Sequence, residues 1–165
     1  MVNNMSWQTV TVGAADTERL GELMGKQIKA PELIELRSDL GGGKTTFVRG
    51  LARGLGSKDI VSSPSFTLKN IYKVGKLEIH HFDFYRLDEP GILSDQLSES
   101  LADEDIVTIV EWSDIVQDVL PEERVTVEFK PLANNTDERQ ITVYYPENKS
   151  SDIRRLESEW AKGRP

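Results

Sequence analysis

One stretch constrains this chain more than any other: Ser38-Asp39-Leu40-Gly41-Gly42-Gly43-Lys44-Thr45-Thr46, which follows a short apolar run and opens an amphipathic segment. It reads as a phosphate-binding loop. The pattern G-x-x-x-x-G-K-[S/T] places backbone N–H groups around phosphates, a lysine on the terminal phosphates and a hydroxyl on Mg²⁺. Gly43-Lys44-Thr45 match it, and Ser38 stands where the first glycine is usual. A Cβ there is acceptable only if the residue avoids the left-handed backbone region, so the reading expects Ser38 to do so. Gly41, Gly42 and Gly43 supply the close backbone approach that a phosphate needs. A match of this kind arises by chance in about one chain of this length in a hundred.

The loop dictates a strand before it and a helix after it, and the flanks comply. Glu32 to Arg37 reads as a short strand; Phe47, Val48, Leu51 and Leu55 then share a helical face, with Arg49 and Arg53 elsewhere and Gly54 and Gly56 marking the end. Upstream, Trp7, Val10 and Val12 alternate as a strand, and Asp16 is the expected N-cap of a helix carrying Leu20, Leu23, Met24 and Ile28 up to Pro31. Downstream, Phe66–Val74 and Leu77–Tyr85 read as strands joined by a Gly75-Lys76 hairpin turn. Ile92, Leu93, Leu97 and Leu101 fall on one side of a helix, and Asp103-Glu104-Asp105 is a solvated turn. Ile106 to Val110 is a nearly continuous apolar run, as in a parallel strand covered on both faces. Ser113 is expected to cap a short helix to Leu120. Arg124–Phe129 and Gln140–Tyr145 read as strands joined through an exposed Asn134-Asn135-Thr136-Asp137, and Ser150–Lys162 as a polar closing helix anchored by Ile153, Leu156 and Trp160.

These elements predict an α/β chain with a three-layer, P-loop NTPase-like fold: a mixed, mostly parallel central sheet with added antiparallel strands, in a single domain over residues 1–165 whose segment 150–165 is a peripheral helix or tail. The 165 residues include no cysteine, which excludes thiol nucleophiles and Cys-based metal sites. Met1 to Val12 has no secretory pattern, and no run approaches the roughly 18 apolar residues of a membrane span, so a soluble cytoplasmic protein is expected. A formal charge of −8 argues against broad binding of a phosphate backbone by this chain itself.

The loop alone does not complete a nucleotide site. Mg²⁺ prefers an octahedral oxygen shell, which one hydroxyl and the phosphates leave unfilled. Two acids end plausible strands: Asp83, in period-two order after Leu77, Ile79 and His81, and Glu111, after the apolar run. Strand C-termini line the ligand crevice of an open α/β sheet. Asp83 is therefore assigned to Mg²⁺, directly or through water, and Glu111 to a metal-bound or attacking water; the bland alternatives are an Asp83–Arg86 surface pair and a Glu111 that caps the next helix. His80 and His81 alternate across a strand and cannot easily share one metal, so each is either a structural histidine or a partner of a phosphate or carboxylate. Ser65 and Thr67 are nucleotide sensors or simple turn residues after Pro64. Trp112 stacks on a base or packs the sheet edge.

Together, Asp39-Leu40-Gly41-Gly42-Gly43-Lys44-Thr45-Thr46-Phe47, Ser63-Pro64-Ser65-Phe66-Thr67-Leu68, His81-Phe82-Asp83-Phe84-Tyr85-Arg86-Leu87 and Glu111-Trp112 resemble the bacterial TsaE (YjeE) family in order and spacing, over about Thr9 to Val143. The resemblance implies a P-loop ATPase needed to form threonylcarbamoyladenosine beside the anticodon of tRNAs that read codons starting with A. It implies ATP on the loop Asp39 to Thr46, Lys44 and Thr45 on phosphates and Mg²⁺, Asp83 at the metal and Glu111 by the nucleotide; Ser65 and Trp112 join the expected cofactor-binding set from the residue reading above. The family more often has Gly at position 38 and Thr at position 65. Its implied partners are the TsaB and TsaD proteins, with tRNA reached only through the complex, and its implied activity is an ATP hydrolysis that is weak alone and resets the synthase between cycles. A P-loop small-molecule kinase is the enzymatic alternative, although the acid-rich stretch after Leu87 lacks an Arg-rich lid. A GTPase lacks its [N/T]-K-x-D segment here. A nucleotide-gated binding subunit without productive hydrolysis is the nonenzymatic alternative.

Overall fold

The computed structural model describes residues 4–39, 41–132 and 135–164. Seven strands form one sheet: β1 (Met5–Thr11), β2 (Glu32–Arg37), β3 (Lys69–Val74), β4 (Leu77–Asp83), β5 (Ile106–Glu111), β6 (Val125–Leu132) and β7 (Asn135–Tyr145), in the order β1-β7-β6-β2-β5-β4-β3. The four central strands, β6, β2, β5 and β4, run parallel, while β1, β7 and β3 are added antiparallel at the two sides. This is the mixed α/β sheet that the sequence predicts, its parallel part being the centre.

Four helices cover the sheet: α1 (Ala14–Gly25), α2 (Lys44–Leu55), α3 (Gly91–Ala102) and α4 (Ser150–Lys162). Side chains alternate across each strand, so two cores form. On one face Ile34, Leu36, Ile79, Val107 and Ile109 meet Leu20, Phe47, Leu51 and Leu156 of α1, α2 and α4. On the other, Leu33, Phe82 and Val110 meet Leu93 and Leu97 of α3 with Val116 and Leu120. β5 is buried at every position, which is why its sequence is apolar almost throughout. Ile153, Leu156 and Trp160 anchor α4, as expected.

α1 and α2 approach each other backbone to backbone. A Cβ on Gly21 would lie 2.2 Å from the Phe47 carbonyl oxygen, and one on Gly50 would lie 1.9 Å from that of Glu18. Gly25 and Gly54 make the equivalent contacts one turn on. Gly54 is thus a packing residue inside α2, not its end; Gly56, at φ 106, is the cap. The arrangement fixes the helix that leaves the glycine loop.

Several local expectations are corrected. Asp16 lies in the first turn of α1, accepting from Val12 N at 2.9 Å, while Gly13 occupies the cap. Phe66 to Leu68 form a turn closed by Leu68 N on Pro64 O at 2.7 Å, so β3 starts at Lys69; the turn after Pro64 overrides the β-propensity of Phe and Thr. β4 ends at Asp83, two residues before Tyr85. Ile92 is 75 % exposed, off the buried side of α3. Ser113 caps nothing: it opens a 3-10 turn, Ser113–Val116, and its hydroxyl donates to Glu35. Asn135 to Asp137 belong to β7 rather than to a connection, and Asn134 lies outside the described residues.

Candidate functional site

The loop between β2 and α2 opens the N-terminus of a twelve-residue helix whose first-turn amides have no side-chain cap. Unpaired amides and the positive end of the helix dipole make such a terminus receptive to anions. Gly41 and Gly43 have φ of 75° and 100°, which only glycine adopts without strain. Ser38 is not among the described non-glycine residues with positive φ, which are Leu68 and Trp112, so its Cβ brings no left-handed strain. Its hydroxyl donates to Asp39 O at 2.8 Å, and a Cβ on Gly42 would fall 2.4 Å from the Ser38 Oγ. Serine at 38 is therefore accommodated by glycine at 42.

Asp83 and Glu111 are register partners on the adjacent parallel strands β4 and β5, on the same face as α2. Both are buried. Asp83 accepts from Tyr85 N at 2.9 Å and from Ser65 Oγ at 3.2 Å, and burial pushes its carboxyl above the usual range. Arg86 does not pair with it; its guanidinium lies 4.3 Å from the centre of the Phe66 ring. Glu111 Oε1 lies 3.9 Å from Lys44 Nζ, and its Oε2 is hydrogen-bonded to His81. Lys44, 7 % exposed, donates to Ser38 O at 3.2 Å and sits 4.4 Å from the centre of the Trp112 ring. Burial lowers its pKa, against the opposing pull of Glu111 and Asp83. Trp112 also packs against Tyr85, with ring centres 4.8 Å apart.

A cavity of about 260 Å³ gathers Gly41, Gly42, Gly43, Lys44, Thr45, Thr46, Ser65, Asp83, Glu111 and Trp112, together with Ser63. Asp39 is exposed and outside this lining, and Leu40 lies outside the described residues. Thr67 points elsewhere, donating to Asn70 at 2.7 Å. Ser63, which the sequence marks only as the first residue of the Ser63–Leu68 motif, joins the lining, its hydroxyl hydrogen-bonded to that of Ser65 at 2.7 Å. Among the described residues no cluster of three or more His, Asp or Glu could hold a metal by itself. The donors present, one threonine hydroxyl and one or two carboxylates beside a phosphate cradle, instead suit a hard cation that keeps waters and phosphates in its shell.

A larger groove, about 550 Å³, lies elsewhere, lined by Arg37, Gln117, Arg124, Thr126 and Glu128. Its two arginines are already paired with Glu35. That residue is fully buried in β2 and accepts from Arg37 Nε at 3.0 Å, Gln117 Nε2 at 2.9 Å, Thr126 Oγ1 at 2.9 Å, Arg124 Nε at 3.3 Å and Ser113. Burial opposes its ionisation, but the bonds from Ser113 and Gln117 and the two arginine charges outweigh it and hold the carboxyl at about 2. The network fastens the segment after Trp112 to β2. No sequence signal marked Glu35, which reads as one acid in an alternating strand.

The glycine loop between a parallel strand and a helix, with two carboxylates at neighbouring strand ends facing it, is set in an α/β protein with a mixed seven-stranded sheet. The family model for Threonylcarbamoyl adenosine biosynthesis protein TsaE matches residues 11–141. The chain is 34 % identical over 146 residues to the tRNA threonylcarbamoyladenosine biosynthesis protein TsaE of Bacillus subtilis, covering 86 % of this chain and 85 % of that one. It is 37 % identical over 134 residues to the protein of the same name from Treponema pallidum, covering 81 % and 97 %. The crystal structure of Bacillus subtilis YdiB superposes with a TM-score of 0.73 at 32 % identity, over 99 % of this chain and 97 % of that one. The chain belongs to the TsaE family. Among its described residues no helix is long and apolar enough to cross a membrane.

Proposed function

We propose that this chain binds and hydrolyses ATP with Mg²⁺ as an accessory protein of tRNA threonylcarbamoyladenosine formation, working with TsaB and TsaD and meeting tRNA only through that complex. The observation that carries the reading is the convergence of Lys44, Asp83 and Glu111 on the cavity lined by the loop glycines. ATP supplies the phosphoanhydride bond, and Mg²⁺ the charge that neutralises its oxygens. Gly41 to Gly43 present backbone amides to the phosphates, and Lys44, already desolvated, presents its ammonium to the terminal ones. The Thr45 hydroxyl and the Asp83 carboxylate hold the cation; an ionised Asp83 in a buried site is poorly solvated alone, which favours a positive partner there. Glu111 orients a water and accepts its proton. Trp112 shields the Lys44 ammonium from solvent, and Ser65 joins the 63–67 loop to Asp83.

Phosphate release from ATP, measured with and without purified TsaB–TsaD, tests the reading. Stimulation by the pair is expected, with turnover lost in Lys44→Ala and Asp83→Ala; normal rates in either variant would end the assignment. The Ser65–Asp83 bond supports a second reading, in which nucleotide orders the loop without productive hydrolysis. That reading predicts tight ATP binding, assembly with TsaB–TsaD, and no phosphate release.

A further inference from the structure

Glu111 has a different partner on each oxygen. Oε1 faces Lys44, and Oε2 is hydrogen-bonded to Nε2 of His81, a residue with no exposed surface. On the other side of that ring, Nδ1 lies 3.4 Å from the Tyr72 hydroxyl, which in turn donates to Ser62 O at 2.9 Å. With the Nε2 hydrogen directed at the Glu111 carboxylate, the ring Nδ1 is an acceptor, so the Tyr72 hydroxyl lies between two acceptors, Nδ1 and Ser62 O, and its one hydrogen is shared between them. Tyr72 and His81 are diagonal neighbours on β3 and β4, where Asn70 pairs with His81 and Tyr72 with Ile79. A continuous line of polar contacts, Ser62 O, Tyr72, His81, therefore runs from the backbone of the 62–68 loop to Glu111. The same loop reaches the second carboxylate directly, through Ser65 on Asp83.

His81 is poorly explained as core filler. It sits among Ile79, Ile109 and Val107 on the α2 face, where an apolar side chain would fill the space without the cost of burying a polar ring. His80 is the useful contrast. On the opposite face it is hydrogen-bonded to Glu78 at 3.1 Å and packs against the Phe82 ring, and among the described residues its buried Nδ1 has no hydrogen-bond partner.

We propose that His81 is a positioning residue that fixes the carboxylate of Glu111, and that Tyr72 couples it to the 62–68 loop, so that loop and carboxylate are placed together. This rests on the reading of Glu111 as part of an ATP-hydrolysing site. A group held slightly out of place lowers the rate of a reaction more than it lowers binding, with losses of up to about a hundredfold per ångström.

The test is steady-state ATP turnover with TsaB–TsaD, alongside affinity for a fluorescent ATP analogue. His81→Ala should lower kcat about tenfold with affinity within about twofold of wild type. His81→Gln keeps an N–H for Glu111 but has no second ring nitrogen, so it and Tyr72→Phe should each lose only about threefold, and the two together no more than either alone. His80→Gln should match wild type. Wild-type kcat in His81→Ala, a His81→Gln as impaired as His81→Ala, or multiplying effects of His81→Gln and Tyr72→Phe would each overturn the proposal. If His81→Ala does not fold, the His81→Gln and Tyr72→Phe cycle decides alone. Lys44→Ala is run beside them: if it turns over normally the functional reading fails, whereas an inactive Lys44→Ala with a normal His81 series removes only this proposal.

Discussion

The two sides of the cavity are built by different forces. The glycine-loop side rests on α2, which is locked to α1 by glycine-to-carbonyl contacts and to the sheet by Phe47, Val48 and Leu51. The opposite side, the 62–68 loop and the Glu111–Trp112 turn, is held by hydrogen bonds from side chains: Tyr72 and Asn70 on Ser62 O, Ser65 on Asp83, Ser113 and Gln117 on Glu35. It also contains both described non-glycine residues at positive φ, Leu68 and Trp112, each costing about 1 kcal/mol or more. Phe66 stands 82 % exposed at its tip. Close packing has one solution, whereas a set of hydrogen bonds under backbone strain is closer to a second arrangement. The glycine-loop side is thus fixed by packing, and the side carrying the 62–68 loop is the one closer to rearrangement.

This contrast can be broken in graded ways. Glu35→Ala should be the most damaging to stability, by about 3 kcal/mol in urea unfolding at pH 7, because it leaves Arg124 and Arg37 beside an emptied buried site. Its pH dependence has a definite sign. The folded pKa of Glu35, about 2, is below its ordinary 4.5, so the stabilisation is fully present above 4.5 and is lost as pH falls through about 2. The gap between wild type and variant should close over that acid window, and a gap that is constant with pH would show that packing rather than charge holds this side. Gly50→Ala comes next, at about 2 kcal/mol, since the new Cβ meets a backbone oxygen at 1.9 Å that cannot swing aside. That loss should barely change with pH or salt, and nucleotide affinity should fall with it because α2 carries the loop. Ser65→Ala should be the mildest, within about 0.5 kcal/mol of wild type. Even so, it should speed amide hydrogen exchange in residues 62–68 and leave that of α2 unchanged; equal effects on both would erase the distinction.

Asp83→Asn sharpens the comparison from the side of function. Burial raises the pKa of Asp83, so its ionised form at pH 7 weakens the fold, and the cost of that charge declines as pH falls through the raised folded pKa. The neutral amide should keep or raise Tm while removing Mg²⁺-dependent nucleotide binding. A lower Tm with normal binding would contradict both assignments.

What was legible in the sequence follows the same division. The glycine loop could be read because its motif occupies contiguous residues, and Asp83 and Glu111 because period-two alternation and an apolar run place them at strand ends. The contacts that hold them could not. Alternation puts His81, not His80, on the face of Asp83, but His81 and Glu111 are thirty positions apart and only the β4–β5 register sets them side by side. Gly54 looks like a helix stop until α1 lies against it, and Phe66-Thr67 looks like a strand until the turn after Pro64 claims it. Glu35 has no local signature, because its five donors come from β2, β6 and the turn after Trp112.

The central claim is that Lys44, set in a glycine loop fixed by packing, faces an ATP phosphate opposite Asp83 and Glu111. Its most direct test is phosphate release from ATP by the chain with purified TsaB–TsaD, comparing wild type with Lys44→Ala. The account predicts stimulated release from wild type and loss on the order of a hundredfold or more in the variant, with unchanged Tm. Equal release from both proteins would contradict it.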